Sequence, residues 1–532
     1  MSSSVNAKRE SLPTAGSVFF VSSTGSVLRL PIPSRSHRDP LTWSWTKRLL
    51  AFWALLTVSI TSSFALNLPG LLIRAIRYEF NDKAASPFGV ESLSSAMTLF
   101  HGLGILIGIP LSKALGRRPV VVIAAVITCL SILWAGLAGT FAELLVSVSF
   151  QALAAGFVTG MIVLILIDAS FIHERPTVLT LFWCLDCCFM KLYTLVLPYT
   201  TNLEFTWRSV YQVWFGPCVV ALFLAIVFIP ETYFLRPPVA LDGRVLVQSS
   251  SEKVQIYGGW DELEAQNGKP LPDIPSAKSF WSHFKVKKAP ETSWESWVAT
   301  YAQMGLCILN PLTFWVSLLS GAMLSGVLFL NLTQLSAIMS EGGDKDERTV
   351  NAFLQLSGLI GSVLAIPASG PLATWFLRYY TFRKGGVRHA EIYLALFAIP
   401  VVTGLISVLI NGLTIMQGWS SSWIYITSAL SLISYLTGSV AFTLWITEAF
   451  PKWAAAAIAV HLFTSNMTGF GIGTIISPWV EQDNILEPTV LISVLTTVLG
   501  AMAVPAAFWG QTVRQYIQGR WSDSERTALR PQ

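Results

Sequence analysis

The chain has 532 residues, of which 53% are apolar and only 12% charged, about half the charged share of an ordinary soluble protein. Its 35 Lys and Arg nearly balance its 30 Asp and Glu, and the mean hydropathy is +0.58. This excludes a soluble globular enzyme, a disordered chain and a secreted disulfide scaffold. With no basic face, it also excludes a nucleic-acid binder. What remains is an all-α polytopic membrane protein whose first partner is the lipid bilayer.

The first 48 residues are polar and rich in proline, with no sustained apolar run, so they do not read as a cleavable signal peptide. A helix needs about 20 apolar residues to cross a bilayer. Twelve runs qualify: 49–72, 92–114, 119–140, 144–167, 177–200, 209–230, 308–338, 349–377, 391–411, 421–447, 453–479 and 488–511. Residues Ile392 to Thr447 carry no charge, and the split between the ninth and tenth runs is placed at Asn411-Gly412 and Trp419–Ser422. The runs divide the chain into an N-terminal tail (1–48), a six-helix half (49–230), a hydrophilic central loop (231–307), a second six-helix half (308–511) and a C-terminal tail (512–532). In the central loop Trp294, Trp297, Val298 and Tyr301 recur at helical spacing, which predicts an amphipathic helix at the membrane surface.

Twelve spans put both termini on one side, and charge says which. Arg29, Arg35, Arg38, Lys47 and Arg48 precede the first span. Lys113, Arg117 and Arg118 follow the second, and Arg378, Arg383, Lys384 and Arg388 follow the eighth. The opposite loops are poor in bases or acidic, so both termini are expected in the cytoplasm. Ile109-Pro110-Leu111 in the second span and Gly370-Pro371-Leu372 in the eighth both precede a basic turn. Similar punctuation in equivalent helices suggests a parallel repeat, with substrate bound between the halves.

Ordered short motifs extend this. Pro110-Leu111-Ser112-Lys113-Ala114-Leu115-Gly116-Arg117-Arg118-Pro119 resembles the signature between the second and third helices of the major facilitator superfamily. Asp39-Pro40-Leu41-Thr42-Trp43-Ser44 resembles the segment before the first helix in its fungal drug:proton antiporter branch, which includes secondary-metabolite exporters. Asp168, His173-Glu174-Arg175, Trp207-Arg208, Pro230-Glu231-Thr232, Asn310-Pro311, Gly385-Gly386-Val387-Arg388 and Glu448-Ala449-Phe450-Pro451 also fall where that branch has similar residues. The resemblance covers roughly residues 25 to 510. It implies a twelve-helix major facilitator fold, alternating access and proton-coupled efflux of a small organic molecule such as a secondary metabolite, toxin or drug; a monomer is the default expectation, and the plasma membrane is expected ahead of the vacuolar membrane. Two positions depart from the pattern. Lys113 stands where the signature has an acid, and Val148 stands three residues before Gln151 where the wider family has an Arg implicated in proton movement.

The charged helix ends read as a gate. Lys113, Arg117, Arg118, Asp168, Arg175, Glu231 and Glu448 lie near the cytoplasmic ends of their spans, where opposite charges can pair when that side closes. Asp186 and Lys191 lie within the fifth span. A charge at the bilayer centre costs roughly 2.5–3.5 kcal/mol on insertion scales, so such a residue faces a cavity or a partner. Five residues is about 500° of rotation, so the two point about 140° apart and should not pair. Asp186 is a candidate for loading and releasing a proton or for neutralising a cationic substrate. Lys191 can also snorkel outwards. Asn67, Gln151, Asn331 and Gln334 are lone polar groups in other spans that could contact substrate or bond between helices, as are Gln355, His461 and Asn466. The resemblance favours Asn67 and Gln334, because the first and seventh helices line the cavity in that family. Phe64, Trp445 and Phe470 are candidate aromatic walls.

The six cysteines all lie in or beside apolar runs and read as packing residues. There is no phosphate-binding GxxxxGK[ST], HExxH or GxSxG, and the six histidines are scattered singly. No cofactor, metal or enzymatic activity is expected. Uptake of an organic cation or nutrient is the alternative transport reading. A membrane sensor signalling through 231–306 is the alternative outside transport.

Overall fold

The structure, a computed structural model, describes residues 17–19, 30–31, 33, 39–80, 88–200, 207–234, 244–246, 254–256, 292–340, 346–383 and 387–525. It is built almost wholly of helices, and the apolar runs account for them. In the first half α1 (Trp45–Leu71) is extended by a short α2 (Ile73–Glu79). Then come α3 (Ser92–Leu115), α4 (Arg117–Leu137), α5 (Phe141–Ala169), α6 (Arg175–Thr200) and α7 (Trp207–Phe228). The central loop ends in α8 (Trp294–Leu309), and the second half follows with α9 (Pro311–Ser340), α10 (Glu347–Ser369), α11 (Pro371–Arg383), α12 (Ala398–Gln417), α13 (Ser422–Ala449), α14 (Ala454–Glu481), α15 (Leu486–Ala501) and α16 (Ala503–Glu525). Among the described residues eleven helices are long and apolar enough to cross a membrane. Counting the pair α15 and α16, bent by 42°, as one span makes twelve. The end of the molecule that carries Trp45 is called here the tail end, and the opposite end the far end.

Polar groups mark where the helices start. Thr140 caps α5 by accepting the Glu143 N–H, while Glu143 accepts from Gly139 in return, so two orphan donors are satisfied together. Asp346 caps α10 and Ser293 caps α8 in the same way. The predicted amphipathic helix is present as α8. Trp294 and Val298 are exposed, and Thr300, Met304 and Cys307 are buried against α3 and α14.

Three boundaries differ from the sequence reading. The ninth span does not stop at Asn411-Gly412. The Asn411 amide donates to the Thr333 hydroxyl of α9 at 3.1 Å, Gly412 packs on Thr489 of α15, and the helix runs on to Gln417. It ends where Gly418 takes the left-handed conformation (φ 63°), which is open to glycine at little cost. The eighth span is broken at Gly370-Pro371 into α10 and α11, because Pro371 has no N–H to continue the ladder. The twelfth is broken after Ala501.

Each half packs by itself. In the first, α5 is central, against α1, α3 and α4. In the second, α13 runs between α10 and α12, and α9 lies along α14. The halves meet along two seams, α6 against α10 and α13, and α3 against α14. Small residues allow the closest crossings. Gly104 of α3 and Gly156 of α5 face each other, and a Cβ on either would strike the backbone carbonyl of Leu153 or of His101. Gly156→Leu is therefore expected to lower thermal stability in detergent sharply, since overpacking costs about 1–3 kcal/mol where neighbours can move and backbone cannot move easily. Gly471→Ala, with nothing within 4 Å of the new methyl, should leave the unfolding temperature unchanged, and tryptophan fluorescence on heating compares the two. Of the glycines in Gly469-Phe470-Gly471, only Gly469 is tightly packed, against Leu324. Two short antiparallel pairings complete the fold, Ser17–Phe19 with Val387–His389 and Arg244–Leu246 with Val254–Ile256.

Candidate functional site

Asp186 stands eleven residues into the 26-residue α6, close to its middle. It is 7% exposed. The Ser59 hydroxyl of α1 hydrogen-bonds its carboxylate, and Tyr435 of α13 lies within electrostatic reach. Its Oδ1 is buried without a hydrogen-bond partner. A buried polar oxygen left unbonded is costly, so this atom marks a place for something the protein itself does not provide.

Lys191 lies further along α6 towards the far end. It neither pairs with Asp186 nor snorkels outwards. Its ammonium donates to Gln355 Oε1 of α10 at 3.1 Å, across the seam between the halves, and its stem lies against Gly358. Between the two charges, Cys187 accepts from the Ser362 hydroxyl of α10 at 3.2 Å. Asp186, Cys187, Lys191, Ser59, Gln355, Ser362 and Tyr435 thus form one polar cluster in an apolar seam. No other described acid or base pairs with Asp186 or Lys191.

The second seam holds a group that sequence reasoning passed over. His101 of α3 is bonded through Nδ1 to Asn466 Oδ1 of α14 and through Nε2 to Thr159 Oγ1 of α5, both at 3.1 Å. A titratable ring therefore bridges the halves at membrane depth. The available signal was a histidine amid an apolar run, but its partner lies 365 residues away. His461, by contrast, is buried beside Phe442 with Nδ1 unpartnered.

The other predicted contacts are elsewhere. Gln334 is buried and donates weakly to Ile424 and Thr427 of α13, and Gln151 is buried and donates to Ser131 of α4. Both bonds stay within one half. Asn67 is exposed and donates to Ser63 of its own helix, and Asn331 is exposed. Phe64 is buried against Trp214, and Trp445 against Trp315 and Phe397, so both are core residues; Phe470 is half-buried.

At the tail end the gate residues come together in a defined pattern. Arg117, 3% exposed, pairs with Asp168 and reaches the Leu164 carbonyl. Glu231, in the segment just after α7, accepts the backbone N–H groups of Arg117 (3.0 Å) and Arg118 (3.2 Å) and so caps α4. Burial pushes this carboxyl up from the usual range, against the backbone N–H groups of Tyr233, Arg117 and Arg118, which favour its charged form. Lys113 lies 5.9 Å from the Tyr233 ring centroid. These contacts lie within the first half. Arg175 and Glu448 differ, because their 2.5 Å pair joins α6 to α13 and so the two halves, with both side chains no more than 10% exposed. Tyr393 lies within electrostatic reach of both and hydrogen-bonds Arg388.

At the far end the halves are joined by Arg74 and Glu347 at 2.5 Å, exposed by 77% and 45%. An exposed pair of this kind contributes about 0–1 kcal/mol. Glu79 receives two 2.7 Å bonds from Arg208 and one from Trp207. The bonds from Arg208 hold the Glu79 carboxyl below the usual carboxylate range, against the opposing effect of burial. Stability from this contact is therefore present above the ordinary carboxylate pKa and is lost as pH falls through the depressed one. Unfolding temperatures of the parent and Glu79→Gln proteins should differ at neutral pH and converge in acid.

Comparison with known proteins agrees with this architecture. The sequence model of the Major Facilitator Superfamily matches residues 52–478. Protein HOL1 of Saccharomyces cerevisiae is 21% identical over 556 residues, covering 94% of this chain and 92% of that protein. Among solved structures, the proton:xylose symporter XylE superposes with a TM-score of 0.59 at 12% identity, covering 90% of this chain and all of that one. The nucleoside transporter NupG superposes with a TM-score of 0.51 at 12% identity, over 86% of this chain and all of that one. The chain belongs to the major facilitator superfamily and is a multi-pass membrane protein of the secondary-transporter class.

Proposed function

We propose that this transporter couples efflux of a small organic molecule to proton entry, with Asp186 as the group that exchanges one for the other. The observation that carries this is the buried, unpartnered Asp186 Oδ1 in the middle of α6, at the junction of the two halves. A carboxylate held at membrane depth without a base is strongly disfavoured as a bare charge. It holds a proton or neutralises a positively charged solute, and one group that cannot do both at once makes an exchanger. Alternating access then moves the site from one side to the other as the two seams rearrange, with Arg175 and Glu448 closing the tail end. The sequence resemblance to the drug:proton antiporter branch supports this direction of transport, and the clustering of bases supports a cytoplasmic tail end. The unpartnered oxygen also favours a second reading, uptake of an organic cation with Asp186 as its counter-charge.

Purified protein in liposomes loaded with a pH-sensitive dye tests the proposal. Under an imposed proton gradient, lipophilic compounds and organic cations are added one at a time. Solute-triggered proton flux is the expected result. Labelled cations that cross without proton movement would overturn exchange and leave the uptake reading.

A further inference from the structure

We infer that the substrate is a short zwitterion, with an amine at one end and a carboxylate at the other, held along α6 between Asp186 and Lys191. The inference rests on the transport reading above and names the substrate class for the same site.

Asp186 is negative when it has released its proton and Lys191 positive when it carries one, and neither has an ionic partner among the described residues. Lys191 donates to the neutral Gln355 amide oxygen and Asp186 takes the Ser59 hydroxyl, with the Cys187 thiol within electrostatic reach of both. A solute that is only cationic would satisfy Asp186 and leave the ammonium without a counter-charge in an apolar seam; a solute that is only anionic would do the reverse. A zwitterion satisfies both, and the site and its occupant are each neutral overall. Both charges also border one element of the opposite half. Tyr435 of α13 lies within reach of Asp186, and Leu432, one turn earlier, packs on Gly358 beside the Lys191 stem. Cys187, next to Asp186 on the way to Lys191, accepts from the Ser362 hydroxyl, so small polar groups lie along the seam between the two charges.

The spacing narrows the class. Five helical residues rise about 7.5 Å, and the two side chains leave α6 about 140° apart. An α-amino acid carries both charges on one carbon and cannot reach both. A linear ω-amino acid, with several methylenes between amine and carboxylate, spans this separation and buries its chain in the apolar seam.

Three compounds of one skeleton make the test: ε-aminocaproate, hexylamine and caproate, in proteoliposomes of the intact protein containing the pH dye. ε-Aminocaproate is expected to drive proton flux with an apparent affinity about tenfold or more above that of either single-charge analogue, the weight of one extra charge-assisted contact. In Lys191→Gln the advantage of ε-aminocaproate over hexylamine should disappear. Equal responses to hexylamine and ε-aminocaproate in the parent protein would overturn the zwitterion and leave the transporter intact. An equal loss of all responses in Lys191→Gln, with monodisperse protein on gel filtration, would also overturn it by making Lys191 a structural residue. If Lys191→Gln does not fold, the comparison in the parent protein decides alone. Absence of proton flux with all three and with the wider panel would remove the transport reading and this inference together.

Discussion

Glu448→Gln is expected to release the tail end of the molecule. The Arg175–Glu448 pair is the buried ionic link between the halves at that end, 2.5 Å long and no more than 10% exposed. Removing one partner leaves a guanidinium buried without a counter-charge, which costs roughly 3–5 kcal/mol of the closed arrangement. The exposed Arg74–Glu347 pair at the far end offers no comparable hold, so the balance should move towards a state open at the tail end. Thr374 provides the readout, because its hydroxyl lies 3.4 Å from that of Thr177 across the same seam. In a background without the six native cysteines, Thr374→Cys should react with a membrane-impermeant thiol reagent much faster when combined with Glu448→Gln. The double variant Arg175→Gln with Glu448→Gln should recover much of the protection, since a neutral pair leaves no buried charge. Unchanged labelling in the single variant would show that the pair does not hold the gate.

Asp186→Asn is expected to reduce solute-coupled proton flux to that of protein-free liposomes. The amide keeps the shape of the side chain and can still accept from Ser59, so folding and the α1–α6 contact should persist. What it loses is the ability to gain or release a proton and to neutralise a cation. Asp186→Glu keeps the carboxyl but moves it by one methylene, and should retain reduced, measurable flux. If Asp186→Asn left flux intact, the coupling group would lie elsewhere, and His101, bridging α3, α5 and α14, would be the next residue to replace.

The fold was largely legible in the sequence because membrane depth imposes long apolar runs whatever the fine packing. Each of the twelve runs overlaps one observed helix or, for the eighth and twelfth, a pair of them. The misplaced boundary at Asn411-Gly412 shows the limit. The same dipeptide breaks a surface helix but serves a buried one, where Asn411 finds a hydroxyl on α9 and Gly412 makes room for Thr489. Asp186 was legible because a charge in mid-span is costly and needs a reason. Its surroundings were not, since Ser59, Ser362 and Tyr435 come from three other helices and look unremarkable in their own runs. The charged helix ends were singled out by position, but the pairing of Arg175 with Glu448 over 273 residues needed three-dimensional packing. His101 was missed for the same reason. Gln334 and Asn67 were singled out by the helix they occupy, whereas side-chain direction decides what they touch.

If one carboxyl exchanges a proton for a solute, replacing it must separate solute exchange from proton-driven accumulation. Asp186→Asn and parent protein are reconstituted at equal density. Solute counterflow is followed at equal pH on both sides, and accumulation is followed under a proton gradient. The parent protein is expected to do both, and the variant to show no proton-driven accumulation at any solute concentration, whatever counterflow it retains. A variant that still concentrates solute against its gradient when protons are supplied would contradict exchange at this carboxyl.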